Sequence, residues 1–566
     1  MKKRKIVLGI AMAAALVFSL ASCDDMNNNA PIVEADGGAT GGNTTGGTTG
    51  GNTGGQSQTG GNTGGQTQTG GDNGGQSQTG GNTGGQTQTG TNHDQGDPIV
   101  IGNQDPEVIN VTGTVNILNS GADFESAYVT FDAYAGADYY NAYVSSDNST
   151  WTKLDRELTR KYNDNGKNYY RCDAVGLKAG KYSLKIVPVI SNVEDISKAN
   201  VVNNLDVIAH ERTGFAFVNG SSSGAYNDDG TLKENANVVY ITNSNIDTVK
   251  LDVKTGSKDA NITSCTGITD ILLAYKKNYE KKPLAIRVLG TVSNDGNLTS
   301  DGKNFAGDLV IKGAGKETSK RLSSGVTIEG IGDDATALGW GVRIANASNV
   351  EVRNLGFMLC DSDEGDNVGL QQDNDHVWVH NCDMFYGMPG GDSDQAKGDG
   401  ALDSKLSNYV SFSYNHFFDS GKCNLLGLKE GATDTYYITY HHNWYDHSDS
   451  RHPRVRFYSA HVYNNYYDGN SKYGIGATSG SSIYAEKNYF RNCKYPMMIS
   501  MQGSDVYGDG TKYDAANNGT FSGECGGIIK AYSNHIEGAK SYVPYNSATT
   551  KGYDTKLEFD CYEVAS

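Results

Sequence analysis

Cysteine, positive charge and long apolar runs are all scarce in this chain of 566 residues, and each shortage excludes a class of protein. The nine cysteines form no CxxC pair, which excludes the usual zinc and thioredoxin-type motifs. Lys and Arg number 47 against 65 Asp and Glu, which gives a net charge of −18. This charge argues against a general nucleic-acid binder, which needs a broad basic face, and we expect no nucleic-acid partner.

A long apolar run does occur at the N-terminus, within residues 1–23. A basic start (MKKRK), an apolar core (IVLGIAMAAALVFSL) and the ending LASC predict a lipoprotein signal peptide rather than a spanning helix. Cleavage before Cys23 would leave that residue to carry the lipid and anchor the chain to a membrane. The sequence therefore predicts an exported lipoprotein at the outer membrane or cell surface, or outside the cell.

Residues 24–103 are poor in apolar side chains and repeat units such as TGGNTGGQTQ. Such a segment buries too little apolar surface to offset chain entropy, so we expect a disordered linker. Residues 104–209 show strand-like alternation, as in YVTFDAY and KYSLKIVPV, with Gly- and Asn-rich turns. The pattern resembles a fibronectin type III sandwich that acts as a spacer, and a carbohydrate-binding module is the alternative. If the linker is a tether and the sandwich is a spacer, we expect the chain from about His210 onward to fold by itself.

Residues 210–566 contain a β-rich phrase that closes with asparagine and recurs along the chain. Its copies are VEVRN, VWVHN, VSFSYN, YITYHHN, AHVYNN, IYAEKN and IKAYSN, which close at Asn354, Asn381, Asn415, Asn443, Asn465, Asn488 and Asn534. A strand-rich period in the low twenties, with Asn at one position, predicts a parallel β-helix with a ladder of stacked asparagines. The last gap is 46 residues, or twice 23, which predicts two coils.

Two local elements are also expected ahead of these repeats. A helix is predicted over 267–281, where Ile268, Ile271, Leu272, Tyr275 and Tyr279 share one face. Pro283 ends it, because proline cannot continue a helix. The apolar run LAIRVLGTV over 284–292 then predicts a buried strand.

Charged residues concentrate in two places among the repeats. Asp399 and Asp403 lie in the acidic stretch GGDSDQAKGDGALDSK, within the longest gap assigned to a single coil, and Asp366 lies one coil earlier. Three carboxylates without Cys or His suit Ca²⁺ rather than zinc, and a solvated acidic turn is the alternative. Arg451, with two more arginines in SRHPRVR, offers rigid donor forks suited to carboxylates. A solvated edge strand with protective charge is the alternative there.

Several motifs, in the same order, are similar to those of the parallel β-helix pectate lyases. They are GAYNDDG, VTIEGIGDDATALGWGVRIANASNVEVRNLGF, VWVHN, DGALDSK, NHFFDSGKCNLLG, YHHNWYDHSDSRHPRVR and HVYNNYY, within about 215–545. The resemblance implies an all-β protein, with a right-handed parallel β-helix catalytic domain preceded by the small β-sandwich. It also implies cleavage of (1→4)-α-D-galacturonan, or demethylated pectin, by Ca²⁺-assisted β-elimination to 4,5-unsaturated oligogalacturonates. The enzyme is expected to be a monomer.

Carried over position by position, the resemblance assigns roles to the charged residues. Asp366, Asp399 and Asp403 would hold Ca²⁺, with Asp363 or Glu364 as alternatives for the first ligand. Lys422 and Arg456 would bind substrate carboxylates. Arg451 would be the catalytic base, although a guanidinium is almost always protonated, so a water molecule beside Arg451 is the alternative base.

One motif departs from the family, because His380-Asn381 stands where the family usually has Asp-His beside the cleft. Three other functions are weighed against the lyase. A pectin lyase would not need the calcium aspartates, and a polygalacturonase would hydrolyse with paired carboxylates whose usual motif is missing here. A non-catalytic polysaccharide-binding or adhesion protein is the third. Ultraviolet absorbance of an unsaturated product separates most of these readings.

Overall fold

The computed structural model describes residues 113–164, 166–293, 308–360, 365–385, 397–428, 436–499, 506–507 and 527–539. The predicted signal peptide, Cys23 and the whole predicted linker lie outside these residues, as do Asp363 and Glu364. Every helix in the described part of the chain is too short or too polar to span a bilayer.

The first described region is a sandwich of two antiparallel sheets. Its strands are β1 (Ile117–Asp123), β2 (Ser126–Asp132), β3 (Tyr139–Ser145), β4 (Thr152–Lys153), β5 (Thr159–Asp164), β6 (Lys167–Val175), β7 (Gly180–Ile190), β8 (Val193–Glu194) and β9 (Asn200–Val207). One sheet has the order β1-β2-β6-β5, and the other has β4-β3-β7-β8 with β9 on β7. Alternate side chains of both sheets, including Val129, Phe131, Ala142 and Ile186, are buried in one core, so the alternation in the sequence reports a sandwich.

Most of the remaining elements wind into a parallel β-helix, apart from one α-helix and two antiparallel strand pairings. In chain order they are β10 (Asn237–Ile241), β11 (Lys250–Lys254), β12 (Ile262–Thr266), α1 (Ile268–Tyr275), β13 (Leu284–Ser293), β14 (Asp308–Lys312), β15 (Val326–Leu338), β16 (Gly341–Ala345), β17 (Ser348–Arg353), β18 (Gly356–Met358), β19 (Asp366–His380), β20 (Asp383–Met384), β21 (Gly400–Ser413), β22 (His416–Phe418), β23 (Tyr436–His441), β24 (Trp444–Asp446), β25 (Arg454–Val455), β26 (Tyr458–Tyr463), β27 (Tyr466–Asp468), β28 (Ile475–Ala477), β29 (Ser482–Glu486), β30 (Tyr489–Arg491), β31 (Met497–Ile499), β32 (Val506–Tyr507), β33 (Ile528–Tyr532) and β34 (His535–Glu537). Short 3₁₀ turns lie at Arg156–Leu158, Ile196–Lys198, Phe215–Phe217 and Thr318–Lys320.

Each coil repeats the same positions of the coil before it, in parallel register. The core row of one sheet is Val350, Val377, Val410, Ile438, Ala460, Ile483 and Ile529, all buried and each paired with the next. A second sheet contains β18, β20, β22, β24, β27, β30 and β34. A third contains β14, β16, the first halves of β19 and β21, and then β25, β28 and β31. The predicted parallel β-helix is confirmed.

The asparagine ladder is present but shorter than the sequence predicts. The amide of Asn415 donates to Asn443, and the same bond continues through Asn465 and Asn488 to Asn534. Asn354 and Asn381 are not rungs: they occupy the left-handed position one residue earlier in the coil, with φ of 50° and 52°. The rung positions of those two coils hold Leu355 and Cys382, so the repeat was assigned one residue out of phase there.

Two further expectations about coils and elements are wrong in detail. β29 pairs directly with β33, so the 46-residue gap from Asn488 to Asn534 belongs to one coil with an insertion, and it is the longest single-coil gap. The helix α1 ends at Tyr275 rather than near 281, because Asn278 adopts a positive φ of 59°, and Tyr279 is exposed. The predicted buried strand at 284–292 is confirmed as β13.

The sandwich is packed against the first coils of the β-helix rather than held apart from them. Glu125, at the β1–β2 turn, is 1% exposed and bonds to Arg212 and Arg353. Arg160 forms a salt bridge with Asp334 at 3.0 Å. Leu158 is buried in an apolar cluster with β-helix residues, including Tyr226, Tyr240, Ala285 and Ile331. These contacts join the sandwich to the first coils, so we expect its removal to destabilise the β-helix.

Candidate active site

The third sheet of the β-helix brings five of the six predicted site residues together. Asp366 begins β19 and pairs with Gly400 at the start of β21, and Gly369 pairs with Asp403. The next coil places Lys422 opposite Ser450, directly before Arg451. The parallel register thus stacks residues that are far apart in sequence onto four successive coils.

Asp366 and Asp403 flank Gly400, and both side chains are buried. A Cβ atom on Gly400 would lie 2.1 Å from Oδ1 of Asp366 and 3.2 Å from Cγ of Asp403. The missing side chain of Gly400 is what allows the two carboxyl groups to converge. This oxygen-only donor set fits a hard cation such as Ca²⁺, which prefers carboxylates.

Asp399 is placed differently from the other two aspartates. Its side chain is 44% exposed, and its Oδ1 accepts a 3.4 Å hydrogen bond from Nζ of Lys422. The oxygens of all three aspartates do not lie within 4.8 Å of one another. In the structure the Asp399 carboxylate is therefore paired with Lys422, while Asp366 and Asp403 converge around Gly400.

The carboxyl group of Asp403 shows the electrostatic character of the site. Burial raises its pKa to about 6, although the charge of Arg451 and a hydrogen bond donated by the Leu425 backbone N–H both lower it. That N–H lies 2.8 Å from Oδ1. Since the protein offsets only part of the desolvation, a cation at this position would favour the ionised form.

Arg451 occupies a constrained turn between Ser450 and the buried His452. Its φ is +65°, a left-handed conformation that is uncommon for a residue with a side chain. The carbonyl of Arg451 accepts a 2.7 Å bond from the Asn424 N–H, which fixes the turn to the neighbouring coil. Left-handed residues recur throughout the coils, so this conformation belongs to the way the chain turns here.

Arg456 lies further along the same stretch, and its side chain is buried. A Cβ atom on Gly427 would lie 2.9 Å from Cβ of Arg456, so the absence of a side chain at Gly427 makes room for it. Arg456 thus lies beside the coil of Lys422. Arg454 is half-buried, whereas Val455 lies in the core and Arg456 is buried beside it.

The family departure at His380-Asn381 lies in a buried polar network and not among these residues. His380 is fully buried, bonds to Glu351 at 3.0 Å and stacks on Trp378. Its other ring nitrogen contacts the Asn381 side chain at 2.8 Å. The departure from the family motif therefore changes a buried hydrogen-bond network that includes Glu351 and Trp378.

Sequence reasoning missed three features of the site. The role of Gly400 depends on cross-coil register, although its position between Asp399 and Asp403 was a usable signal. The positive φ of Arg451 has no sequence signal. A cluster of Glu211, His441 and His442 was also missed, and the adjacent histidines were its visible sign.

Comparison with known proteins gives a consistent result. A family profile described as pectate lyase matches residues 314–551. A pectate trisaccharide-lyase of Bacillus licheniformis is 29% identical over 254 residues, which cover 45% of this chain and 69% of that protein. Probable pectate lyase A of Neosartorya fischeri is 30% identical over 243 residues, covering 42% of this chain and 73% of that protein.

Among solved structures, a pectate lyase from Bacillus sp. N165 in complex with trigalacturonate covers 63% of this chain and 94% of its own. Its identity to this chain is 21%, and its TM-score is 0.45. The sequence relatives, together with the stacked coils, show that the chain belongs to the pectate lyase family and is a polysaccharide lyase with a parallel β-helix fold.

Proposed function

We propose that this pectate lyase cleaves (1→4)-α-D-galacturonan by β-elimination with the help of Ca²⁺. The observation that carries the proposal is the convergence of buried Asp366 and Asp403 around Gly400, next to the coil that presents Arg451. Asp399 completes the proposed ligand set. Polygalacturonate, with one carboxylate on each sugar, is the complementary polymer for a site that pairs a cation with basic side chains.

The chemistry requires removal of the proton on C5, beside the C6 carboxylate. Lys422 and Arg456 bind substrate carboxylates and hold the sugar, and Arg451 takes the C5 proton directly or through a water molecule. Ca²⁺, when bound by the aspartates, supplies positive charge that stabilises the developing enediolate. The C4–O4 bond then breaks, O4 gains a proton, and the C4=C5 double bond remains on the other fragment.

The direct test is ultraviolet absorbance during incubation with demethylated pectin. Absorbance from an unsaturated product should rise with Ca²⁺ present and stop after exhaustive chelation, with circular dichroism unchanged. New reducing ends without absorbance would show hydrolysis and overturn the elimination. Full activity after chelation would instead remove Ca²⁺ from the proposal and leave the lyase in place.

We also propose that Cys23 carries a lipid that anchors the enzyme at the outer membrane or cell surface, where the polymer is met outside the cell. The support is the signal pattern of residues 1–23 and the polar segment that follows. Cys23→Ser should move the protein from the membrane fraction to the soluble fraction. Equal membrane association of both forms would contradict the anchor.

A further inference from the structure

Two adjacent histidines and a glutamate converge on the β-helix, away from the residues proposed for catalysis. His441 ends β23, His442 follows it, and Glu211 lies in the segment that enters the β-helix from the sandwich. The two Nδ1 atoms are 2.9 Å apart, and Nδ1 of His442 is 3.8 Å from Oε2 of Glu211. One ligand atom from each of the three residues lies within 4.8 Å of the others.

The backbone explains why neighbouring side chains meet here. Consecutive residues of a strand point to opposite faces, but His442 has a φ of 54°, which turns the chain at the corner of the coil. Stacking then fixes both rings. Tyr414 stacks on His442 at 4.6 Å with parallel planes, and Tyr463 stacks on His441 at 4.9 Å. The imidazoles are thus preorganised by the coils on either side.

Polar groups surround the cluster in a way that orients its ligand atoms. The hydroxyl groups of Tyr414 and Thr213 both donate to the Glu211 carboxylate. Thr213 Oγ1 also lies 3.5 Å from Nε2 of His441, and the amide of Asn464 lies 3.4 Å from Nε2 of His442. Rotation of the Asn464 amide by half a turn would place its oxygen toward Nε2 of His442. Nε2–H of His441 then donates to Thr213 Oγ1, and Nε2–H of His442 donates to the Asn464 oxygen. This arrangement leaves the lone pairs of both Nδ1 atoms available to a metal ion. Outer hydrogen bonds of this kind orient metal-binding histidines.

The cluster is also accessible from solvent. His441 is fully buried, but the side chains of His442 and Glu211 are 23% and 34% exposed, so an ion can enter from solvent.

We propose that Glu211, His441 and His442 form a site for one divalent transition-metal ion, separate from the aspartate site. Two imidazole nitrogens and one carboxylate suit Zn²⁺, Ni²⁺ or Cu²⁺ rather than Ca²⁺. With metal–nitrogen bonds of about 2.0–2.1 Å, nitrogens 2.9 Å apart subtend about 90°. That angle matches neighbouring ligands of a tetragonal or octahedral ion, so the two imidazoles suit Ni²⁺ or Cu²⁺. The part-exposed Glu211 carboxylate, 3.8 Å from Nδ1 of His442, would move closer to complete the site.

The position of the site suggests its consequence. Glu211 belongs to the segment between β9 and the first β-helix strand, whereas the histidines belong to a coil more than two hundred residues later in the chain. A bound ion would fasten this segment to the middle of the β-helix. Metal binding to the folded form alone would then raise the melting temperature.

The test uses the full-length chain without a histidine tag, with Ca²⁺ in excess. We expect titration calorimetry to show one tight site for Ni²⁺ that Ca²⁺ does not displace. Glu211→Gln and His442→Gln should each weaken it at least tenfold, and Cu²⁺ bound to the parent protein should show nitrogen coupling in its electron paramagnetic resonance spectrum. His442→Gln should reduce that coupling. Both variants keep a hydrogen-bonding side chain, and circular dichroism checks their folding.

The matched control is the second three-residue group, Asp446, His447 and Asp468. Its members already have partners, since Asp468 binds Arg491 and Asp446 contacts His447 and His416. His447→Gln should leave the Ni²⁺ affinity unchanged. Absence of a tight site, or its loss in His447→Gln but not in His442→Gln, would overturn the proposal and leave a simple hydrogen bond between the two imidazoles.

Discussion

Gly400 controls the spacing of the proposed calcium ligands. Its φ lies outside the left-handed region, so alanine is compatible with the backbone, but a Cβ would lie 2.1 Å from Oδ1 of Asp366. The carboxylate would have to move, and the cavity between the aspartates would be filled. A substitution here therefore tests the cation site without removing a charged group.

We expect Gly400→Ala to raise the Ca²⁺ concentration needed for half-maximal activity by tenfold or more. Gly356→Ala is the control, because its Cβ would meet nothing nearer than 3.3 Å and it lies in the second sheet. Activity against Ca²⁺ concentration is the measurement. Identical curves for Gly400→Ala and the parent would show that the aspartates do not bind Ca²⁺ across this glycine.

Arg451→Lys is expected to lower kcat by about 10²–10³-fold with little change in KM, because a group acting on the C5 proton contributes only in the transition state. Lys422→Ala and Arg456→Ala should raise KM as well, since both residues would bind ground-state carboxylates. Arg491→Lys, at a surface ion pair in the second sheet, is the control. An Arg451→Lys enzyme with most of its kcat would remove Arg451 from the proton transfer.

The sequence could identify the charged site residues because ordered motifs mark them, whereas their spatial relation depends on register. Asp366 and Asp403 converge only because their coils pair in parallel around Gly400. Asp399 is separated from them because its side-chain conformation directs the carboxylate toward Lys422. No periodicity in the sequence encodes such a conformation.

At the scale of elements, the asparagine ladder joins neighbouring coils. The Asn443 side chain makes four such hydrogen bonds: it donates to the Phe412 carbonyl and to Asn465, and its Oδ1 accepts from the backbone and side chain of Asn415. The sequence predicts the ladder but misplaces its start, because Asn is also favoured at the left-handed corner position one residue earlier. Because asparagine occupies both positions, the sequence prediction placed two rungs one residue too early.

Asn443→Ala should reduce the free energy of unfolding by about 2–4 kcal/mol, because it leaves buried partners on both neighbouring coils unsatisfied. Asn534→Ala, at the end of the ladder and half-buried, should cost about half as much. Urea unfolding followed by circular dichroism measures both. Equal losses at the two positions would indicate that the ladder bonds are replaced by water.

At the scale of the whole molecule, a buried charged network joins the sandwich to the β-helix. Its acidic members are Glu125, Glu329 and Glu351, and its basic members are Arg212, Arg287 and Arg353. These six side chains carry three negative and three positive charges in a desolvated interior, and Asp155 adds a 3.7 Å contact to Arg287. Replacement of one member leaves an unpaired buried charge, which is strongly destabilising.

This network predicts a loss of stability in acid. Burial alone would raise the pKa of Glu329 and Glu351, but Arg353 opposes burial at both and lowers each pKa below the ordinary value of 4.5. Their contribution is fully present above about pH 4.5 and is lost as the pH falls through the lower folded values. Urea midpoints between pH 7 and pH 3 should fall steeply in the parent and less steeply in Glu351→Gln. Parallel profiles would contradict this assignment.

The same interface changes what is expected of shortened chains. A chain beginning at Gly113 should keep its stability and its activity on soluble polygalacturonate. A chain beginning at His210 should lose about 3–5 kcal/mol or more, because Arg353 and Arg212 lose Glu125. Glu125→Ala in the full chain should reproduce part of that loss, and Asp259→Ala, which is fully exposed, should not. Equal melting temperatures for the two shortened chains would show that the sandwich is a separate spacer.

The uneven length of the coils has an evolutionary consequence. Equivalent positions at Arg353, His380, Ser413, His441, Tyr463, Glu486 and Tyr532 stay in register although 22 to 46 residues separate successive members. The strands keep their positions in the stack, while the segments between them can be lengthened with little loss of core stability. Selection can therefore lengthen or replace the loops beside the cleft, and so change which polymers are accepted, without refitting the stacked interior.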